Sequence, residues 1–202
     1  DQEWYQHVHV KEKRIMTIPN QINRLTAEQD DTAILETDRL ILRPLTWADR
    51  PVLCAILQDA KTMTYYNGAF DEAMTDEWLQ RQLDRYETFG IGLWAVIRKS
   101  DGELTGQCGL TWQPWKDRDV LEIGYLFNRH FWHQGYAREA AAACRDYAFD
   151  VLQADEVCSI IRDTNLPSQN VARSIGMEPA DQWVKHYRGA DMPHIRFVIS
   201  RT

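Results

Sequence analysis

The sequence predicts an α+β fold in which a mixed, mostly antiparallel central sheet is flanked by helices. Strand-like runs and helical stretches follow one another in the order βααβββαβαββ, and no segment is repeated along the chain. With 202 residues and 44% apolar content, the chain is long enough to bury one sizeable core. We therefore expect one domain over residues 34–202, preceded by a polar, loosely packed extension over residues 1–33.

The first strand and the first two helices are predicted from residue periodicity and capping. Residues 40–43 alternate in the manner of a strand and end before a proline. Thr46 is suited to cap a helix over residues 47–58. A second helix is predicted over residues 75–88, where it ends before Gly90.

Three strands in the middle of the chain predict an antiparallel meander. Residues 93–98 and 104–111 are strand-like, and the Ser-Asp-Gly sequence at 100–102 that joins them tolerates the positive φ angles of a tight hairpin. A polar loop is expected over residues 113–119, followed by a third strand over residues 120–127.

The C-terminal part alternates between helices and strands. After residue 136, small and apolar residues recur at three- and four-residue steps, which predicts an amphipathic helix that packs closely on the sheet. A strand over residues 157–162 and a short helix over residues 168–174 follow. The order then ends with strands over residues 183–187 and 195–200.

Composition and charge narrow the classes of ligand. A net charge of −7 and the lack of a dense basic block argue against a nucleic-acid partner. No apolar run of about eighteen residues predicts a membrane span, and no secretory signal is recognisable, so we expect a cytoplasmic protein without a membrane partner. The four cysteines are scattered and the six histidines form no His-x-x-x-His pair. Reduced thiols and no metal are therefore expected.

The most informative segment is the turn at residues 132–137, which joins a strand to an alanine-rich helix. A helix N-terminus presents unpaired N–H groups and about half a positive charge, which suits a pyrophosphate. Gly135 removes a side chain where phosphate oxygens must approach the backbone. The glycine patterns of dinucleotide and nucleoside triphosphate sites are absent from the sequence. A glycine before a helix also shapes ordinary turns, so this segment alone does not identify a function.

Two further segments add specificity to the turn. One is residues 165–177, where a short helix begins on a polar cap and stops at Gly176, and the other is the Thr-Asp-Arg-Leu-Ile-Leu-Arg-Pro sequence at 37–44. Over residues 35–201 the combination resembles the GNAT superfamily of N-acetyltransferases, in particular its ribosomal-protein alanine acetyltransferase-like branch. The chain departs from the family pattern at Trp132, where arginine or glutamine is usual.

The resemblance implies that acetyl-CoA is the co-substrate and that the sheet is splayed so that the pantetheine arm lies between two strands. The backbone of residues 123–127 would contact the pantetheine, residues 134–138 would hold the pyrophosphate, and Asn165 would contact the pantetheine or order its loop. The cofactor-binding residues implied are Ile123, Tyr125, Leu126, Phe127, Gln134, Gly135, Tyr136, Ala137, Arg138 and Asn165.

Acetyl transfer from a thioester to an amine needs a deprotonated acceptor and a proton for the departing thiolate. Glu122 is the candidate base, because strand alternation places it on one face with Gly124 and Leu126, beside the expected thioester. A solvated strand glutamate is the structural alternative. Ser168 is the candidate donor to the thiolate, although Asn165 and Ser168 are equally suited to cap a helix.

The amine acceptor should be selected by aromatic and polar residues in the least recognisable segments, although packing is an alternative role for each. By resemblance the acceptor is a peptide or protein N-terminal α-amine. A small amine, such as an amino sugar, polyamine or amino acid, remains open, as do a non-catalytic acyl-CoA-binding module and either a monomer or a homodimer. The candidate acceptor-binding residues are Tyr65, Tyr66, Asn67, Trp78 and Trp112.

Overall fold

A computed structural model describes residues 33–202, so the predicted extension lies outside the described residues except for its last position. The strands are β1 Leu35–Glu36, β2 Leu40–Arg43, β3 Leu93–Arg98, β4 Leu104–Trp115, β5 Arg118–Phe127, β6 Glu156–Arg162, β7 Glu178–Tyr187 and β8 Ala190–Ser200. The helices are α1 Arg50–Leu57, α2 Glu72–Phe89, α3 Tyr136–Asp150 and α4 Leu166–Ser174.

The strands that the structure describes form one sheet in the order β1-β2-β3-β4-β5-β6-β8-β7. Neighbouring strands run antiparallel except for β5 and β6, which are parallel. α3 provides the crossover connection that a parallel pair requires. The predicted α+β class and the predicted β3-β4-β5 meander are confirmed. Gly102 has φ +74° in the β3–β4 hairpin, as its sequence indicates.

Helices cover both faces of the sheet. The alanine-rich side of α3 packs on one face, where Ala140, Ala141, Cys144 and Ala148 are fully buried. α4 contributes to this core, while α1 and α2 pack on the opposite face in a second cluster. A third cluster lies on the second face farther along the sheet, around Trp115. Small residues in α3 allow close approach to the strands, so the N-terminus of α3 is held near the end of β5.

The predicted polar loop over residues 113–119 is wrong, because β4 and β5 continue through it as a long hairpin. Lys116 has φ +56° at the turn. Trp115 is 1% exposed and packs edge-on against Trp183 of β7, with 5.7 Å between the ring centroids. Its indole N–H also donates to an Asp181 carboxylate oxygen at 3.1 Å. These distant contacts extend the strands where the local composition favours a loop.

Other element boundaries also differ from the prediction. α2 begins at Glu72 rather than at residue 75, because the Asp71 carboxylate caps it by accepting from the Met74 N–H at 2.8 Å. Residues 47–49 form a 3₁₀ turn before α1. The last two strands are longer than predicted, since each pairs with the other along its length. Within residues 33–202, no helix is both long and apolar enough to cross a membrane.

Candidate active site

A gap opens between the parallel strands β5 and β6. Among the described residues, Glu122 opposite Cys158 is the only register pair between them. The Ser159 hydroxyl donates to the Ile123 carbonyl at 2.8 Å beside this pair. β5 continues to Phe127 without a further β6 partner. The sheet is therefore splayed toward the C-terminal end of β5, as the resemblance implies.

Backbone groups of β5 face this gap at alternate residues. The Ile123 carbonyl points toward β6, so Tyr125 and Phe127 turn their backbone groups to the same side. The Leu126 carbonyl instead lies against Gly106 of β4, and the Leu126 side chain packs in the cluster with α1 and α2. Of the predicted pantetheine contacts, Tyr125 and Phe127 thus face the gap and Leu126 faces away from it.

The turn before α3 forms an open cradle of backbone N–H groups. Gly135 has φ +80° and is the N-cap residue of α3. The first backbone bond of the helix runs from the Glu139 N–H to the Gly135 carbonyl at 3.1 Å. The N–H groups of residues 136–138 precede this bond and point out of the helix end. Helix N-termini of this kind bind anions, and the exposed Gly135 carries no side chain that would block the approach.

Arg39, which precedes β2 and is distant from the cradle in sequence, holds the cradle in place through side-chain hydrogen bonds. Its Nη1 donates to the Gln134 carbonyl at 2.9 Å, and its Nε donates to a Glu139 carboxylate oxygen at 2.7 Å. The Thr37 hydroxyl donates to the other Glu139 oxygen at 2.5 Å. The Arg39 guanidinium also lies 4.6 Å from the centroid of the Tyr136 ring. This function of residues 37–39 was not predicted, because no local pattern joins residues that lie 100 positions apart.

Trp132 links the cradle to the end of β5. Its indole N–H donates to the Phe127 carbonyl at 2.9 Å. The bond satisfies a carbonyl that would otherwise face the gap and fixes the entry of the chain into the turn. The departure from the family pattern at this position therefore has a structural role that sequence reasoning missed.

Glu122 lies on the face of the sheet that carries α1 and α2. It shares that face with Gly124, because a Cβ at Gly124 would lie 3.6 Å from a Glu122 carboxylate oxygen. Burial raises the pKa of Glu122 to about 7, although the positive charges of Lys185 and Arg85 lower it in part. A carboxyl group with this pKa is both a competent base and partly ionised near neutral pH.

Tyr66 and Trp78 lie on the same side as Glu122. Their rings meet edge-on with 6.2 Å between centroids, and the Trp78 indole N–H donates to the Gln107 side-chain oxygen at 2.9 Å. Burial raises the pKa of Tyr66, and the nearby Glu122 carboxylate raises it further. These predicted acceptor-binding residues are therefore brought together around the candidate base. Tyr65 is half-buried in the same 3₁₀ turn as Tyr66.

Hydrogen bonds of Arg188 join the two loops on this side of the site. Arg188, in the turn between β7 and β8, donates from Nη1 to the Tyr66 and Gly68 carbonyls at 3.1 and 2.7 Å. Its Nη2 donates to the Ala69 carbonyl at 3.2 Å, and the Asn67 side-chain amide donates back to the Arg188 carbonyl at 3.2 Å. We call these contacts the Arg188 bridge. It joins two loops that are about 120 residues apart and was not predicted from the sequence.

The sequence and the fold of this chain match those of known proteins. Residues 39–178 match the family model described as an acetyltransferase (GNAT) domain. The chain belongs to the GNAT acetyltransferase family. It is accordingly an acetyl-CoA-dependent enzyme that transfers acetyl to an amine.

Individual relatives agree with this assignment. The uncharacterized protein YkkB of Bacillus subtilis is 40% identical over 144 residues, which are 71% of this chain and 84% of that protein. A crystal structure of an acetyltransferase from Agrobacterium tumefaciens is 28% identical with a TM-score of 0.71, covering 88% and 99% of the two chains. The spermidine N-acetyltransferase of Vibrio cholerae, solved with CoA and spermine, has a TM-score of 0.66 at 16% identity, covering 81% and 96%.

The remaining predicted site residues of this GNAT chain lie in different places, some at the start of α4 and one on the opposite face of the sheet. Asn165 caps α4 by accepting from the Ser168 N–H at 3.2 Å, and the Ser168 carbonyl accepts from the Tyr125 hydroxyl at 2.6 Å. α4 thus begins at Leu166, not at Ser168. Trp112 lies opposite Leu121 in the β4–β5 ladder, on the face of the sheet away from Glu122. The structure therefore does not bring Trp112 together with Tyr66 and Trp78.

Among residues 33–202, no group of three or more histidine, cysteine, aspartate or glutamate side chains is arranged to hold a metal ion. Two buried thiols, Cys108 of β4 and Cys144 of α3, lie 3.7 Å apart beneath the helix and away from Glu122.

Proposed function

We propose that this GNAT enzyme transfers acetyl from acetyl-CoA to a compact primary amine by direct attack in a ternary complex, with Glu122 as the base. The observation that carries the proposal is the position of Glu122 at the point where β5 and β6 separate, since this brings a carboxyl group with a pKa near 7 beside the open gap. No covalent enzyme intermediate is required, because the thioester is already an activated acyl donor.

The residues around the gap fit acetyl-CoA, which supplies the acetyl group as a thioester. The backbone groups of Tyr125 and the N–H of Phe127, whose carbonyl accepts from Trp132, would contact the pantetheine arm, and Asn165 at the start of α4 would be a further contact. The N–H groups of residues 134–138 would bind the pyrophosphate, aided by the exposed Arg138 side chain. Arg39 and Trp132 would keep this cradle in shape without touching the phosphates.

Glu122 would accept the proton of the incoming ammonium, directly or through water. Its ionised form is available near neutral pH because its pKa is about 7. Tyr66 and Trp78 would orient the amine from the face of the sheet that carries α1 and α2. The Ser168 hydroxyl is our candidate donor to the departing thiolate, since Ser168 is tied to β5 by the bond from Tyr125.

The Arg188 bridge favours a compact acceptor over the N-terminus of a folded protein. It joins the Tyr66 loop to the β7–β8 turn beside Glu122, which narrows the approach to the base. A peptide N-terminal α-amine, expected from the resemblance, is the second candidate, because a thin, extended chain end also fits a narrow approach. A non-catalytic acyl-CoA-binding module is disfavoured by the environment of Glu122, since a half-buried carboxyl group whose pKa is raised to about 7 by desolvation is costly to retain without a use.

A turnover screen tests the proposal. Purified full-length protein is incubated with acetyl-CoA and with polyamines, amino sugars, amino acids and short peptides that begin with different residues, and CoA release is measured. We expect turnover with at least one compact amine, and loss of it in Glu122→Gln. Turnover with peptides alone would favour the second candidate. CoA binding without turnover of any amine would support the binding module and contradict the proposed enzyme.

A further inference from the structure

One face of the C-terminal half of the sheet carries both Glu122 and an arginine. Cys158 lies opposite Glu122, and strand alternation places Arg162 on the same face as Cys158. Arg162 lies opposite His194 of β8, which in turn lies opposite Trp183 of β7. The face that carries the candidate base thus continues to Arg162 and His194.

Arg162 lacks the partners that a neighbouring arginine has on this face. Arg196 of β8 is paired with Asp181 and with Glu156, each at 2.8 Å. Arg162 is half-buried, yet its Nε is buried without a hydrogen-bond partner. Among the described residues we find no ion pair to its guanidinium. A buried cationic donor without a partner is costly, and an anionic ligand would remove that cost.

Lys185 adds a second positive charge near Arg162, since both cations act on the same His194 ring. Burial lowers the pKa of His194, and the charges of Lys185 and Arg162 lower it further, whereas Asp163 acts in the opposite direction. Lys185 is close enough to Glu122 for each charge to affect the pKa of the other. Its ammonium lies 6.0 Å from the Trp183 ring centroid. Glu122 and the exposed Asp163 are the acids that offset these cations.

The spacing along β6 suits a molecule with two opposite charges. Arg162 lies four positions after Cys158, which is beside Glu122, and this step corresponds to about 13 Å of strand. The arginine side chain spans part of that distance. An amine held at Glu122 would therefore leave an anionic group of the same small molecule within reach of Arg162.

We propose that the acceptor is an amine that also carries an anionic group, a carboxylate or a phosphate, and that Arg162 binds this group while the amine lies at Glu122. The inference rests on the proposed function and specifies its substrate class. Arg162 thus determines specificity, and Lys185 supplies further positive potential around it. Neutral and purely cationic amines are weaker acceptors, because they leave Arg162 unpaired.

The test compares acceptors that differ only in the anionic group. One pair is an amino acid and its primary amide, and the other is an amino sugar and its phosphate monoester, so the two pairs distinguish carboxylate from phosphate. Steady-state kinetics with acetyl-CoA is measured for the wild-type enzyme, Arg162→Gln, Arg162→Lys and Arg118→Gln. Arg118 is exposed at the start of β5 and serves as the matched control for loss of one positive charge.

We expect the anionic member of at least one pair to have a kcat/KM about ten-fold or more above its neutral partner, as for a hydrogen bond to a charged group. In Arg162→Gln, the KM of the anionic acceptor should rise until the two members of a pair have equal kcat/KM, whereas kcat and the affinity for CoA should change little. Arg162→Lys should restore part of it, and Arg118→Gln should keep it. A loss of activity that is equal for both members would assign Arg162 a structural role and overturn the inference.

Two other outcomes separate this inference from the proposed function. Turnover in which the neutral member of both pairs is as good as the anionic one would overturn the inference alone. Absence of turnover with these pairs and with every amine of the wider screen would overturn the proposed function and the inference with it.

Discussion

Glu122 lies opposite Cys158 at the only point, within residues 33–202, where β5 and β6 are paired. The position of the candidate base and the start of the cofactor gap are therefore set by the same register. A shift of β5 by one residue would turn Glu122 to the opposite face and place a neighbouring apolar side chain at the reaction site. The single register pair thus couples catalysis to the correct formation of the sheet.

Acetyl transfer should depend on the ionisation of Glu122. Because the base acts only when ionised, we expect kcat/KM to rise with pH and level off above about 7. Glu122→Gln should lower kcat by about 10²-fold and remove this dependence. A pH-rate profile tests both effects, with Glu87→Gln on the exposed side of α2 as the control. The same profile in wild type and Glu122→Gln would exclude Glu122 as the base.

The same substitution should stabilise the folded protein at alkaline pH. Burial raises the pKa of Glu122 from 4.5 to about 7, so the folded protein binds this proton more tightly than the unfolded chain does. Stability is therefore lost as pH rises from about 4.5 through 7. Glu122→Gln should recover up to about 3 kcal/mol at pH 8 and almost none at pH 4, measured by denaturant unfolding. A gain of equal size at both pH values would contradict this assignment.

Gly135→Glu should abolish CoA binding. The substitution strains a backbone with φ +80° and places a negative charge in the anion cradle. Gly102→Glu is a matched control, because Gly102 has φ +74° and open space around it in the β3–β4 hairpin. Calorimetry should show a loss of CoA affinity of about 100-fold or more for the first variant and none for the second. Unchanged affinity in Gly135→Glu would refute the position of the cradle.

Trp132→Phe should weaken CoA binding without removing a direct contact. The phenylalanine keeps most of the ring but loses the hydrogen bond to the Phe127 carbonyl, so the turn is held less firmly. We expect a loss of about 1 kcal/mol in the free energy of unfolding and several-fold weaker CoA binding. Trp112→Phe, on the opposite face of the sheet from Glu122, is the control and should leave the KM of the amine unchanged. A raised KM in that control would return Trp112 to the acceptor site.

Arg188→Gln should weaken the binding of the amine acceptor and leave the binding of CoA unchanged. It removes the donors to the Tyr66, Gly68 and Ala69 carbonyls, so the Tyr66 loop is no longer tied to the β7–β8 turn. We expect the KM of the amine to rise about five- to ten-fold, with the affinity for CoA within a factor of two of wild type. Arg201→Gln, which breaks contacts to Gln153 and Asp155 near the C-terminus, is the control. A parallel loss of CoA affinity in Arg188→Gln would indicate general loosening instead.

Local sequence patterns were sufficient to predict a hairpin, the close packing of one helix and the face of the sheet on which the candidate base lies. The glycine at 102 predicts the β3–β4 hairpin, the small residues of α3 predict its close packing, and alternation places Glu122 and Gly124 on one face. The extension of β4 through Trp115 could not be predicted, because it depends on packing against Trp183, which lies 68 positions later in the sequence. The composition of that segment alone favours a loop.

Long-range contacts account for most of what was missed at the site. The bond from Arg39 to Glu139 and the bond from Arg188 to Gly68 each join segments at least 100 residues apart. Neither produces a local periodicity, so only the assembled sheet reveals them. Trp112 is a different case. Its opposition to Leu121 follows from the strand register, which depends on the β4–β5 hairpin that was predicted as a loop.

The splay of the sheet also has a thermodynamic consequence. Beyond Glu122, the β5 backbone has no β6 register partner among the described residues, so the ladder is incomplete in the middle of the sheet. A pantetheine arm bound there, as proposed, would act as a surrogate strand and would bind the native state alone. At a free CoA concentration one hundred times the Kd, mass action adds about 2.7 kcal/mol to native-state stability. Amide protons along β5 and β6 should then exchange more slowly, and the free CoA concentration would contribute to the equilibrium stability of the folded enzyme.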